Sequence, residues 1–458
     1  MKDWKGRRVV VLGAARQGLA LTRWLVKHEA IVTLSDKRPG AELASARAAL
    51  GSLPVHWALG GHPTELLDQA DVLCLSGGIP LNLPIVEAAV RRGISLSNDT
   101  QIFMEASPCK TIGITGSAGK TTTTTLVGQM AKDAYGDKAY LGGNIGDPLI
   151  NYVDDMEASD LAILEISSFQ LEQMTISPAV AAILNITPNH LDRHGTMEAY
   201  TAAKARILEF QSRKDTAILG RDDVGAWNLR SKVKGRLQSF GFSPIDEDAE
   251  GTYFEDGILY LYEHRVDIPL LRRDQIQLRG DHNVSDVLAA FAIGHAAGFP
   301  LDAMLIAAQE FHGVPHRLEL VRELHGTRWY NDSIATAPER TMAAIRSFDE
   351  PLVLLLGGRD KNLPWEDLAS LIHQRVDHVV LFGEAAEKIE KAIAAEKASK
   401  RPLTLDRVEH LHQAVMQAAG VAEPGDVVLL SPGGTSFDEF KDFEERGENF
   451  RLWVQKLS

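Results

Sequence analysis

The stretch Thr115-Gly116-Ser117-Ala118-Gly119-Lys120-Thr121-Thr122 decides how this chain is read. Lys110 to Thr115 ahead of it is a short, mostly apolar run of strand type, and a threonine-rich helical stretch follows. Strand, glycine turn and helix in that order place backbone N–H groups and a helix N-terminus where phosphates can be held. Lys120 can neutralise β- and γ-phosphate charge, and the Thr121 hydroxyl can ligate Mg²⁺. The long form of the motif wants glycine at 114, where this chain has isoleucine; Gly113 and Gly116 give a shorter version. The expectation is an ATP site formed by Gly116, Ser117, Ala118, Gly119, Lys120, Thr121 and Thr122.

Working outward, 458 residues allow roughly three units of ~150 residues. Upstream, Arg8 to Leu12 reads as a buried strand, Gly13 to Gly18 as a turn and Leu19 to Lys27 as a helix. A second strand from Ile31 ends at Asp36, completing a βαβ nucleotide-binding half. The turn Gly-Ala-Ala-Arg-Gln-Gly lacks the middle glycine of the dinucleotide fingerprint, so the reading stays at Rossmann-like architecture rather than bound NAD. Basic residues before Val9 to Leu12 mimic a signal peptide, but the apolar run stops at a glycine turn and reads as a first strand. Downstream, strands at Asp160–Ile166, Ala179–Ile186 and Ala217–Gly220, a surface hairpin over Ser243–Gly257 and a helix from about Asn283 to Gly298 fill the middle. Strands at Arg328–Asn331, Leu352–Leu356, His378–Phe382 and Asp426–Ser431 alternate with helices beyond Gly313. The fold class is α/β, with three domains at residues 1–105, 106–312 and 313–458. The first and last are Rossmann-like, and the central one is P-loop ATPase-like with a mostly parallel sheet.

The charge balance of 48 Lys+Arg against 62 Asp+Glu, a formal net of −14, argues against broad nucleic-acid binding. No apolar run approaches the ~18–20 residues of a membrane span. Cys74 and Cys109 are the only cysteines, too few for a disulfide framework, which fits a reducing cytoplasm. Glu165 ends a strand where a carboxylate can reach a phosphate-bound metal. His190, Asp192 and His194 follow another strand end, and Lys204 lies on a helix beginning near Met197. By themselves these are weak pointers to metal.

Taken together, Thr115–Thr122, Gly142-Gly143-Asn144-Ile145-Gly146, Glu165-Ile166-Ser167-Ser168-Phe169-Gln170-Leu171 and Asn185 with His190-Leu191-Asp192-Arg193 resemble the Mur ligases. Pro315-His316-Arg317, Asn331-Asp332-Ser333 and the run Ser431–Lys441 are similar to the branch of that family that adds glutamate. The resemblance implies ATP-dependent addition of D-glutamate to UDP-N-acetylmuramoyl-L-alanine through an acyl phosphate, in cytoplasmic peptidoglycan precursor synthesis. It implies catalytic roles for Lys120, Glu165, His190 and Lys204. Two Mg²⁺ ions would be held by Thr121 and Glu165, and by His190 with Lys204 as a CO₂-derived carbamate. Asn283, Asp286, His316, Arg317 and Asp332 would contact ATP; Arg16, Gln17, Asp36, Lys37, Asn144 and His190 the UDP-muramoyl-alanine substrate. Thr336, Lys361, Ser436 and Phe443 would hold glutamate. The chain departs from the family pattern at Asp286, Ile334 and Ala337, where asparagine, lysine and asparagine are usual. Small-molecule partners, no nucleic acid, no membrane and a monomer are expected. The alternatives are the same ligation with L-glutamate, a ligase similar to folylpolyglutamate synthases, or an ATP-gated interaction protein.

Overall fold

The computed structural model describes residues 3–243, 245, 249–396 and 401–458. The chain forms two compact units, one of Met1–Ile276 with Asp281–Phe311 and one of Gln277–Gly280 with His312–Ser458. Three sheets organise them, in the expected α/β class.

The first sheet holds β1 (Arg8–Leu12), β2 (Ile31–Asp36), β3 (Val55–Leu59), β4 (Val72–Leu75) and β5 (Ser95–Ser97), in the order β3-β2-β1-β4-β5. Every pairing is parallel. The helix after β1 runs Arg16–Lys27, so it starts three residues earlier than the glycine pattern suggests. Gly18 makes this possible, because a Cβ there would fall 1.9 Å from the Gly13 carbonyl oxygen. Its glycine serves close helix-to-turn packing rather than ending the turn.

The second sheet, in the same unit, holds β6 (Lys110–Thr115), β7 (Ala139–Gly143), β8 (Leu161–Glu165), β9 (Val180–Ile183), β10 (Thr216–Gly220), β11 (Arg236–Gly241), β12 (Gly251–Glu255), β13 (Ile258–Glu263) and β14 (Val266–Arg272). Its order is β14-β13-β12-β11-β10-β9-β6-β8-β7. The expected hairpin over Ser243–Gly257 lies partly outside the described residues, at Pro244 and Asp246–Asp248. What is described corrects it: β12 pairs parallel with β11, then antiparallel with β13, which pairs antiparallel with β14. Alternating Tyr253, Leu259 and Leu261 are buried, so these strands extend the sheet instead of standing off the surface. The helix Asp281–Ala297 is buried continuously from Asp286 to Gly294, as a helix apolar on most sides must be.

The third sheet lies in the second unit, with β15 (Glu319–Leu324), β16 (Thr327–Asn331), β17 (Leu352–Gly357), β18 (His378–Phe382), β19 (Thr404–Arg407) and β20 (Val427–Gly433), ordered β15-β16-β20-β17-β18-β19. Only β15 runs antiparallel. β17, β18 and β20 are buried along their whole length, which is why they read as unbroken apolar runs. Each buried leucine or valine there contributes about 1.5–3 kcal/mol of transfer free energy. Among the described residues no helix is long and apolar enough to cross a membrane.

Candidate active site

The glycine turn between β6 and the helix Lys120–Tyr135 is built against the end of β9. The Ser117 amide donates to the Asn185 carbonyl at 3.0 Å, and the Ala118 amide to Asn185 Oδ1 at 2.8 Å. Asn185 Nδ2 returns a bond to the Ala118 carbonyl at 3.2 Å. Two amides expected to face phosphate are therefore used within the protein. The N–H groups of the first turn of the helix Lys120–Tyr135 are the donors a helix N-terminus leaves without an intrahelical partner. Gly119 is in the left-handed region (φ +78°), and a Cβ on it would lie 2.2 Å from Asp286 Oδ1. Asp286 thus sits beside the turn, on the same helix as half-buried Asn283 three residues earlier.

Two lysines meet on one carbonyl. Lys120 Nζ donates to Gly116 O at 2.9 Å and Ser117 O at 3.3 Å, while Lys204 Nζ donates to Gly116 O at 2.8 Å. Lys204 is 1% exposed on the helix Met197–Glu209. Burial above all, and then the Lys120 charge, push its ammonium down from 10.5 to about 7, with Glu165 opposing. Glu165, at the end of β8, is also buried. Its Oε2 accepts from Thr121 Oγ1 at 2.8 Å and its Oε1 from Asn144 Nδ2 at 2.9 Å. A hydroxyl and a carboxylate oxygen this close are hard donors suited to Mg²⁺. His190, exposed and at φ +53°, packs its ring 5.2 Å from Phe169; His194 stacks on the same ring at 5.1 Å and the Arg193 guanidinium covers it at 4.6 Å. Among the described residues no group of three His, Cys, Asp or Glu side chains could hold a metal ion, and the Asp192 side chain lies outside them.

The β1 turn reaches the same region, since Gln17 Nε2 donates to Gly143 O at 3.2 Å, next to Asn144. Gln17, Asn144, Glu165 and Thr121 thus form one chain of contacts. Asp36 is engaged within the β1 turn and by its neighbour Arg38. Its carboxylate accepts from the Ala14 amide at 2.8 Å and from Arg38 at 2.8 and 2.9 Å, and Arg38 holds it well below the usual carboxylate range. It latches the turn to β2, while Arg16 and Lys37 stay exposed.

In the second unit, buried His316 accepts at Nδ1 from Asn331 Nδ2 at 3.0 Å, which leaves the proton on Nε2. Burial also lowers its pKa, in keeping with a neutral ring. Arg317 follows it, and its charge acts on Asp332. Asp332 accepts from Ser431 Oγ at 2.8 Å and from the Leu318 amide at 3.3 Å. Lys361 Nζ, exposed, donates to Thr336 Oγ1 at 3.3 Å. Ser436 is buried beyond β20, and Phe443 opens the helix Phe443–Lys456.

Residues 7–98 match the N-terminal domain of MurD-like Mur ligases, 114–294 the Mur ligase middle domain and 316–434 the Mur ligase glutamate ligase domain. The chain is 39% identical over 453 residues to the UDP-N-acetylmuramoylalanine--D-glutamate ligase of Symbiobacterium thermophilum, covering 98% of each. The chain belongs to the Mur ligase family. The similarly named ligase of Pelotomaculum thermopropionicum is 39% identical over 464 residues, covering 100% of this chain and 99% of that one. Among solved structures, MurF from Acinetobacter baumannii superposes with a TM-score of 0.59 at 16% identity, covering 97% of this chain and 93% of that one. MurC from Thermotoga maritima gives 0.55 at 17%, covering 98% and 99%. At such identities the likeness concerns the fold.

Several residues that shape the site of this Mur ligase carried no role in the sequence reading. Asn185 braces the glycine turn, Arg38 occupies Asp36, and Tyr200 bonds Ser117 Oγ at 3.0 Å while lying 4.7 Å under Lys204 Nζ. Asn185 alone had a signal, as a polar residue just past the end of a strand that pairs with β6.

One pH dependence follows. Burial pushes the Asp332 carboxyl up from 3.8 to about 7. Between about pH 4 and pH 7 the unfolded chain has released that proton while the folded one keeps it, so stability falls as pH rises. Asparagine keeps the Leu318 bond and can donate to Ser431. Asp332→Asn is therefore expected to gain stability relative to the parent by up to about 1.4 kcal/mol per pH unit across that window. Urea unfolding of both proteins at pH 4.5, 5.5 and 7 checks it; a constant difference refutes it.

Proposed function

We propose that this Mur ligase joins D-glutamate to UDP-N-acetylmuramoyl-L-alanine at the expense of ATP, as a cytoplasmic monomer acting on small molecules alone. The observation that carries the reading is the convergence of Lys120 and Lys204 on Gly116 beside the paired Thr121 and Glu165. Full-length identity to ligases named for D-glutamate supports it.

A carboxylate does not acylate an amine at neutral pH. In the proposed sequence an oxygen of the alanyl carboxylate bonds to the γ-phosphorus of ATP, and ADP leaves. The glutamate amine then attacks the acyl carbon, loses a proton, and phosphate departs with the former carboxylate oxygen. Three anionic reactants must be brought together and their charge offset. Lys120 and the first-turn amides meet the phosphates, with Asn283, Asp286, His316, Arg317 and Asp332 assigned to the nucleotide. Thr121 and Glu165 would hold one Mg²⁺, and His190 with carbamylated Lys204 a second; the ions supply positive charge at the phosphate oxygens. Gln17 and Asn144, linked through Gly143, orient the muramoyl substrate with Arg16, Asp36, Lys37 and His190. Thr336, Lys361, Ser436 and the Phe443 amide receive glutamate.

ADP release and product mass with ATP, Mg²⁺, UDP-N-acetylmuramoyl-L-alanine and either glutamate enantiomer test the assignment. D-Glutamate is expected to react faster. Faster coupling of L-glutamate would overturn the stereochemistry, and turnover only with a folate acceptor, or none at all, would overturn the ligation. Ile334 offers no ion pair, so charge recognition rests on Lys361. Lys361→Ala is expected to raise the KM for glutamate about tenfold or more, the worth of one charge-assisted hydrogen bond. Ile334→Lys should change it less.

A further inference from the structure

The glutamate pocket proposed above is assembled from four separate segments, and one buried side chain reaches all of them. Arg446, in the first turns of the helix Phe443–Lys456, is 0% exposed. Its Nε donates to Ser333 Oγ at 3.0 Å, Nη2 to Ser333 O at 2.8 Å and Nη1 to Gly434 O at 3.1 Å. Ser333 Oγ in turn donates to the Phe443 carbonyl at 2.8 Å. Gly358 packs against the same guanidinium: at φ +92°, a Cβ there would lie 3.0 Å from Nη1. Next to it, Arg359 and Thr435 exchange backbone bonds of 2.8 and 2.9 Å, tying the ends of β17 and β20 together.

The spacing is what links this to function. Ser333 precedes Thr336 by three residues, Gly434 precedes Ser436 by two, Gly358 precedes Lys361 by three, and Arg446 follows Phe443 by three. Thr336 and Ser436 are therefore a short tether from atoms that Arg446 holds, Phe443 is one turn away on the same helix, and Lys361 follows the glycine packed against the guanidinium. The three acceptors are a hydroxyl and two carbonyls, all neutral. Burial draws the guanidinium down to about 10 against the pull of Asp438, Glu439 and Asp332, none of which hydrogen-bonds it, so it stays charged at neutral pH. Burying a charge on neutral acceptors is costly, and packing alone would be met better by an apolar chain. A planar fork with fixed donors can hold the Ser333 and Gly434 loops in register, with Gly358 packed against its face, where a single ammonium cannot.

We propose that Arg446 is a positioning residue for the amino-acid substrate, fixing the Ser333, Gly358 and Gly434 loops so that Thr336, Lys361, Ser436 and the Phe443 amide converge on one dicarboxylic amino acid. The inference rests on the pocket reading above. It places no atom of Arg446 on the substrate; the effect passes through Ser333 and the two glycine loops.

Steady-state kinetics on the full chain test it, with each substrate varied in turn for Arg446→Met, Arg446→Lys, Ser333→Ala and Lys361→Ala. Arg446→Met is expected to raise the KM for glutamate by about tenfold or more, while the KM values for ATP and the muramoyl substrate stay within about threefold. Arg446→Lys should not restore it. Ser333→Ala, which removes one hydroxyl and no charge, should shift the same constant in the same direction by about threefold or more. It decides the matter if Arg446→Met does not fold. A purely structural role would lower the melting temperature or kcat and leave the glutamate KM unmoved, or would move all three KM values together. Either result overturns the inference, provided Lys361→Ala raises the glutamate KM. If Lys361→Ala leaves it unchanged, the pocket reading falls and takes the inference with it.

Discussion

Replacing Lys120 by alanine is expected to lower the ligation rate by about three orders of magnitude, roughly 4 kcal/mol of transition-state stabilisation. The fold should survive. The ammonium rests on two neutral carbonyls of its own turn, Gly116 and Ser117, and both can be met by water once it is gone. The turn itself is held by Asn185 from β9's end and by Ser117 Oγ on Thr187, bonds in which Lys120 has no part. On the proposed mechanism the variant loses positive charge where negative charge moves during phosphoryl transfer. A second readout separates this from general damage. The Lys120 charge is one of the two causes lowering Lys204, so its removal should let Lys204 titrate at higher pH. Single-turnover ADP formation and the melting temperature test the claim together. A folded variant releasing ADP at a near-parental rate would remove the phosphate role from this lysine.

Lys204→Ala should cost about two to three orders of magnitude in rate and be partly rescued by a short carboxylic acid in the buffer. CO₂ adds only to a neutral amine, forming an N–C bond as nitrogen gives up one proton and becomes part of an anionic carbamate. An ordinary lysine is almost wholly protonated at neutral pH, whereas burial and the Lys120 charge bring Lys204 down to about 7, so the neutral amine is far more accessible there. Its neighbourhood favours the product as well. A carbamate would exchange repulsion between two cations on Gly116 for attraction to Lys120, with the Glu165 carboxylate opposing it unless a cation lies between them. Labelling with ¹³C-bicarbonate should give a carbamate resonance in the parent and none in Lys204→Ala. Rate should also fall when CO₂ is stripped. Full activity in CO₂-free buffer, or in the alanine variant without added acid, would refute the modification.

Much of this was legible before any coordinates. The β6 strand has the bounds its apolar run marks, and the glycine turn, the strand-end Glu165 and the position of Lys204 on its helix follow from punctuation within a few residues. Such signals are local: an apolar run, a glycine that allows a turn, and a lysine and threonine at fixed offsets write their chemistry into adjacent positions. Local cues mislead where their cause is distant. Gly18 looked like the end of a turn, but its missing Cβ answers the Gly13 carbonyl inside a helix already begun. The segment after Ser243 looked like a free hairpin, yet its strands found an open sheet edge on β11.

Sequence by itself determined the α/β class, the order of the strand–turn–helix units, and which residue types could handle phosphate and metal. The tertiary structure decided which of those residues are already engaged and which hold the others in place. Gln17 meets Gly143 from 126 residues away, Asn144 meets Glu165 across 21, and Arg446 meets Ser333 across 113. Nothing in an arginine's neighbours announces that it will be buried, because burial and hydrogen-bond partners are fixed by where parallel strands end side by side. Likewise, the lowered pKa of Lys204 comes from burial beneath the turn and from a second lysine brought to the same carbonyl. Proximity of that kind is created by chain folding, and the free energy of a charge depends on its surroundings far more than on its position in the sequence.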